Sequence, residues 1–166
     1  MQKTYYLAYG SNLHVAQMQR RCPGAKAIGT AWLDGYRLAF RGSKTGAYLT
    51  IVPDSKARTP VGVWEINAEH ERALDRYEGY PIFYYKQRYA VEVSPMPGRR
   101  GRKRTVTGMV YIMDEARPFG TPEQWYVSVC SVGYDCFGLD KEPLLDAVRR
   151  SLPVATKYAG KKKVAT

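Results

Sequence analysis

Apolar residues first gather at Thr4 to Ala8, "TYYLA", with no polar alternation, which predicts a short strand buried on both faces. The run stops at Gly-Ser-Asn, so Tyr9 to Leu13 reads as a turn. His14 to Arg21 continues with the helical spacing of Leu13, Ala16 and Gln17, and Cys-Pro-Gly ends it. In the stretch 27–42 a β pattern carried by Leu33, Tyr36, Leu38 and Phe40 is interrupted by Asp-Gly, which predicts strand, turn, strand. "AYLTIVPD" reads as another strand stopped by its proline, and Pro60 to Asn67 as a further one.

The period then changes. Ala68 to Tyr77 reads as a helix with Asn67 as N-cap, Glu69 and Glu71 in the dipole-favoured first turn, and Gly79 at the C-terminal stop. "YYKQRYAVEVSP" and "TVTGMVYIMD" predict a strand pair, joined by a loop rich in basic residues. "PEQWYVSVCSVGYDCFG" carries no clean period and reads as helical or mixed. "DKEPLLDAVRRSL" is a short helix with Leu144, Leu145 and Val148 on one face. Strands first, then a helix between strands, then helices, is the order of an α+β domain around a mostly antiparallel or barrel-like sheet, not of a Rossmann fold. No repeat or linker divides the chain, so residues 1–153 are expected to form one domain and 154–166 a basic, flexible tail.

Charge alters this picture only locally. The net charge of +11 raises the question of a nucleic-acid or acidic partner. Most of the excess, however, lies in Arg99, Arg100, Arg102, Lys103 and Arg104, and in Lys161, Lys162 and Lys163. The loop "PGRRGRKR" has no interleaved aromatics on which bases could stack, so a solvated hairpin tip is the preferred reading and nucleic acid the lesser one. Three cysteines, an odd number, with no secretion-signal pattern at Met1 to Gly10, point to a reducing, cytoplasmic setting and no disulfide framework. No apolar run approaches the length of a membrane span. The 14 tyrosines couple apolar rings to hydroxyls, so some are expected to line a polar cavity.

Two places carry candidate chemistry. A strand running into Gly10-Ser11-Asn12 and then a helix gathers backbone N–H groups that suit a carboxylate, a phosphate or an oxyanion, although many strands end in turns without function. Glu78 sits at the C-terminal end of a helix, where the dipole disfavours its charge, between Tyr77 and Tyr80. Such a carboxyl is expected to have a raised pKa, as a proton-moving group near neutral pH requires; the plain alternative is a solvated glutamate before a C-cap. Cys130 and Cys136 have no zinc-like spacing, neither histidine has a neighbouring ligand, and Cys130 sits in an apolar run, so metal or thiol chemistry is set aside.

Taken together, "YLAYGSNL", "LDRYEGYP", "GMVYIM" and "PEQWYVSVCSVGYDCFGL" resemble the γ-glutamylcyclotransferase family, whose relatives include AIG2-like proteins and γ-glutamylamine cyclotransferases. The resemblance runs from Thr4 to Leu152. It implies a small mixed β-barrel with packed helices and a cavity at one mouth, floored by the Y-G-S-N-L loop. It implies a small-molecule γ-glutamyl amide as substrate, cleaved to 5-oxoproline and a free amine with no metal or other cofactor. Glu78 is then the catalytic acid/base. Gly10, Ser11, Asn12 and Leu13 supply N–H groups around the substrate, with the Leu13 side chain serving the loop's packing, Tyr9 walls the pocket, and Tyr111 and Tyr126 are carried over as pocket tyrosines. A pocket that binds without catalysis, and one in which water replaces the attacking amine, are the other readings. The released amine and the oligomeric state stay open.

Overall fold

The computed structural model describes residues 3–43 and 45–153; the lysine-rich stretch 154–166 lies outside the described residues. Five strands close into a barrel in the order β1-β3-β2-β4-β5: β1 (Thr4–Ala8), β2 (Lys26–Ser43), β3 (Gly46–Ile66), β4 (Tyr84–Pro95) and β5 (Arg104–Met113). Neighbours are antiparallel except β1 and β5, which run parallel with Tyr5 opposite Gly108 and Tyr6 opposite Met109. This is the mixed barrel that the resemblance implies.

Two long strands replace the four short ones read from the sequence. Asp-Gly does not turn the chain back: Gly35, at φ 81°, sits at an irregularity where the pairing jumps from Asp34 opposite Arg58 to Tyr36 opposite Pro53. Pro53 and Pro60 lie within β3 itself, on either side of the out-of-register stretch, where a lost N–H disturbs the ladder least. A bend in one ribbon and a break between two strands look alike in local sequence. The β4–β5 hairpin is the predicted strand pair, with Tyr84 opposite Met113 at one end and Val93 opposite Arg104 at the other.

Helices α1 (Val15–Arg21), α2 (Ala68–Glu78), α3 (Gln124–Phe137) and α4 (Glu142–Ser151) surround the barrel. The undecided stretch before the last helix is therefore a regular helix. Its buried residues Tyr126, Cys130, Tyr134 and Phe137 recur at three- and four-residue spacing, a pattern the intervening glycine and tyrosines obscure. Both histidines serve as caps rather than ligands. His14 Nδ1 accepts the Gln17 N–H at the start of α1, and His70 completes a capping box with Asn67 at the start of α2. Cys22 and Cys130 are buried and Cys136 is exposed, all as free thiols. No helix among the described residues is long and apolar enough to cross a membrane.

Candidate active site

β1 runs into the loop at Gly10, and a single 3-10 turn, Ser11–Leu13, closes before α1 begins. The turn is held by Leu13 N–H to Gly10 O at 3.0 Å and His14 N–H to Ser11 O at 3.1 Å. From behind, α3 presses on it through Gly133, where a Cβ would lie 2.6 Å from Leu13 Cβ and 2.7 Å from the His14 nitrogen. The β3 residue Gly62 makes similar room for Leu13 and Phe137. Leu13 is thus fully buried, with its N–H committed inside the turn, and it faces the core rather than the cavity. Its role is to pin the loop.

Glu78 is the last residue of α2. Gly79 takes the left-handed conformation there, φ 64° and ψ 35°, and Tyr80 N–H returns to Asp75 O at 2.9 Å, so the helix stops and the chain turns away. This leaves the Glu78 carboxyl facing the loop, where Asn12 Nδ2 donates to Glu78 Oε1 at 3.2 Å and to the Tyr6 hydroxyl at 3.0 Å. Asn12 is buried and fully engaged. Its Oδ1 accepts from Arg21 Nη1 at 2.6 Å, and its carbonyl accepts the indole N–H of Trp64 at 3.0 Å. Arg21 also stacks on the Tyr77 ring at 3.7 Å and donates to the Tyr77 hydroxyl at 2.8 Å. Loop and helix end, 66 residues apart in the chain, are therefore joined through one asparagine and one arginine.

Burial pushes the Glu78 pKa up to about 7, against the opposing pull of the Arg21 charge and the Asn12 hydrogen bond. The enclosing aromatics are not the two sequence neighbours: Tyr77 and Tyr80 are 48% and 41% exposed. Buried tyrosines beside Glu78 in the cavity are Tyr6 of β1, Tyr9 just past the end of β1, and Tyr84 of β4. Burial foremost, with the nearby Glu78 carboxylate adding to it, holds the Tyr6 and Tyr9 phenols well above the ordinary value, so both remain protonated donors.

These groups line a cavity of about 450 Å³ at the barrel mouth. Gly10, Ser11, Asn12 and Glu78 face it, as do Tyr9, Tyr111 and Tyr126. Tyr9 donates to the Tyr111 carbonyl at 2.6 Å, and the Tyr111 hydroxyl donates to Asp75 at 2.7 Å, so both are fixed walls. Tyr126 accepts the Leu49 N–H at 3.1 Å while Tyr84 donates to the Leu49 carbonyl at 2.9 Å, clamping β3 where it borders the mouth. Tyr6, Tyr48, Tyr84, Arg21 and Trp125 are further participants that local sequence does not single out, since each arrives from a separate element.

The barrel with this cavity matches solved structures along nearly its whole length. A structure described as a gamma-glutamyl cyclotransferase shares 24% identity, with a TM-score of 0.73, and the match covers 98% of this chain and 95% of the other. An uncharacterised human protein shares 24% identity at a TM-score of 0.72, over 99% and 95%. A yeast gamma-glutamyl cyclotransferase specific to glutathione shares 15% at 0.52, over 90% and 99%. No curated protein matches the chain. The profile of the gamma-glutamyl cyclotransferase, AIG2-like family matches residues 6–128, and the chain belongs to that family.

Proposed function

We propose that the protein is a γ-glutamyl cyclotransferase-type enzyme with Glu78 as its general acid/base. The observation that carries this reading is a carboxyl that lines the same cavity as Gly10, Ser11 and Asn12, is oriented by the Asn12 amide at 3.2 Å, and is pushed by burial up to about 7. The substrate α-ammonium gives a proton to the Glu78 carboxylate, and the freed amine attacks the γ-carbonyl carbon. The carbonyl oxygen gains negative charge in the tetrahedral intermediate, and in this reading N–H groups of Gly10, Ser11 and Asn12, which line the cavity, receive it or the substrate α-carboxylate. Protonated Glu78 then passes its proton to the departing nitrogen and the amide C–N bond breaks; the ring nitrogen, left with two hydrogens by the attack, gives its second proton to the released amine, so that neutral lactam (5-oxoproline), an ammonium product and the Glu78 carboxylate are formed. A carboxyl with a pKa near the working pH can perform both transfers. Tyr9, Tyr111 and Tyr126 serve as rigid walls that fold the substrate toward attack; such positioning contributes up to about 7–11 kcal/mol in favourable cases.

The test is release of 5-oxoproline from a panel of γ-glutamyl dipeptides, γ-glutamyl-ε-lysine and glutathione. Turnover of at least one compound is expected, lowered by at least about 10²-fold in Glu78→Gln, which keeps the shape of the side chain and loses its proton. Free glutamate in place of 5-oxoproline would assign the same site to hydrolysis. Unchanged turnover in Glu78→Gln would remove Glu78 from the mechanism.

A further inference from the structure

Beside the main cavity opens a second lobe of about 330 Å³, and the two share Ser11, Tyr48, Tyr77, Trp125 and Tyr126 along their common boundary. The lobe's other walls are Gln17, Arg20 and Arg21 from α1 and Val129 from α3. Residues 17, 20 and 21 fall on one face of α1 because they are three and four positions apart, and the two arginines occupy its last turn, where the dipole favours cations. Arg21 is occupied by Asn12, Gln17 and Tyr77. Arg20 is exposed and has no ion pair among the described residues. Opposite stands Trp125, 60% exposed and resting edge-on against Tyr126 with ring centroids 5.9 Å apart. Arg76, also without an ion pair among the described residues, faces the adjoining main cavity, while the Asp75 carboxylate is paired with Lys86. The mouth is thus cationic and partly aromatic, and the acidic group facing it, Glu78, is half neutral near pH 7.

We propose that this lobe receives the amine to be released and selects one that carries a carboxylate beside an apolar or aromatic side chain, with Arg20 as a specificity-determining residue. This inference rests on the cyclotransferase reading, which puts the glutamyl group against Glu78 and leaves the rest of the amide to cross the shared boundary beside Tyr48 and Trp125, since Ser11 and Tyr77 close the other side with a 3.4 Å hydrogen bond. Arg20 meets the carboxylate of the departing amino acid, Trp125 and Val129 cover its side chain, and a departing group with a free ammonium meets like charge.

Three substrates of similar reach separate these effects: γ-glutamyl-phenylalanine, its C-terminal carboxamide, and γ-glutamyl-1,4-diaminobutane. The acid is expected to exceed the carboxamide in kcat/KM by about tenfold, with the cationic amide lower still. Arg20→Gln should bring the acid-to-carboxamide ratio below about two, while Arg100→Gln, equal in charge change but at the far end of the barrel, leaves it intact. The same pair of ligands is titrated calorimetrically into Glu78→Gln and into Glu78→Gln with Arg20→Gln, which reads affinity without turnover. Turnover with no acid preference, or with a preference that Arg20→Gln does not touch, overturns the lobe and spares the cyclotransferase reading. Acid-selective, Arg20-dependent binding without turnover of any substrate keeps the lobe and overturns the reaction. Neither turnover nor selective binding overturns both.

Discussion

Glu78 weakens the fold it serves. Its pKa is about 7 in the folded protein against 4.5 for a free glutamate, so folding favours the neutral form. Below pH 4.5 both folded and unfolded chains hold the proton. As pH rises toward 7 the unfolded chain releases it first, and above 7 the folded protein carries a half-buried charge that costs up to about 3 kcal/mol. Glu78→Gln is therefore expected to be more stable than the parent by up to about 3 kcal/mol at pH 8 and close to it at pH 4, measured by denaturant unfolding at the two pH values. A gain of equal size at both would mean that the carboxyl is not held neutral. Arg21 pulls the other way: its charge lowers the Glu78 pKa, so Arg21→Met should raise it and move the acid limb of the kcat/KM profile to higher pH. A limb that stays in place or moves down would detach Arg21 from Glu78. The raised pKa was legible in the sequence, yet for an incomplete reason. Tyr77 and Tyr80 flank the residue in the chain but are exposed, whereas Tyr6, Tyr9 and Tyr84, distant in the chain and buried, share its cavity. Chain neighbours report which residue is unusual; only the fold reports what surrounds it.

At the scale of elements, the site depends on α3 pressing the loop into place. Tyr134 donates to the Tyr9 carbonyl at 2.9 Å just before the loop, and Gly133 lets the helix touch the Leu13–His14 backbone. Gly133→Ala would put a methyl group 2.6 Å from Leu13 Cβ. Overpacking of this kind costs about 1–3 kcal/mol, and relief by shifting the loop would also move Asn12 away from Glu78. A lower Tm together with a loss in kcat/KM is expected; full activity at an unchanged Tm would show that the contact is not tight. Local pattern gave the start and stop of α2 almost to the residue, because Asn67 and Gly79 are caps whose chemistry acts within one turn. It gave four strands where β2 and β3 are two, because whether Asp34-Gly35 and Pro53 bend a ribbon or end it is decided by pairing across the sheet. Gly133 carried no readable signal either, since a glycine inside a helix shows its purpose only when the partner backbone is in view.

At the scale of the whole molecule, the basic loop and the cavity lie at opposite ends. β5 runs parallel to β1, which leads to the Gly10 loop, so Met113 is near the cavity end and Arg104 near the other. A ten-residue strand spans about 30 Å, which separates the basic hairpin tip from Glu78 by several Debye lengths at physiological salt. Arg99, Arg100, Arg102 and Lys103 are exposed there, and Lys103 reaches Glu92 at 3.2 Å. Composition alone could not make this separation: +11 is a sum, and a sum has no location. With the location known, the loop's charges are too far away to act on groups in the cavity. Replacing Arg99, Arg100, Arg102 and Lys103 together by serine should leave kcat/KM for a γ-glutamyl substrate within about twofold at 0.15 M salt. Arg20→Gln, a single charge at the mouth, should alter it more for a carboxylate-bearing substrate. Were the fourfold change to lower kcat/KM by tenfold, the basic tip would have to reach the cavity of a second copy, and the loss would then deepen on dilution; a loss independent of protein concentration would instead mean that the hairpin tip holds the barrel mouth in shape through β4 and β5.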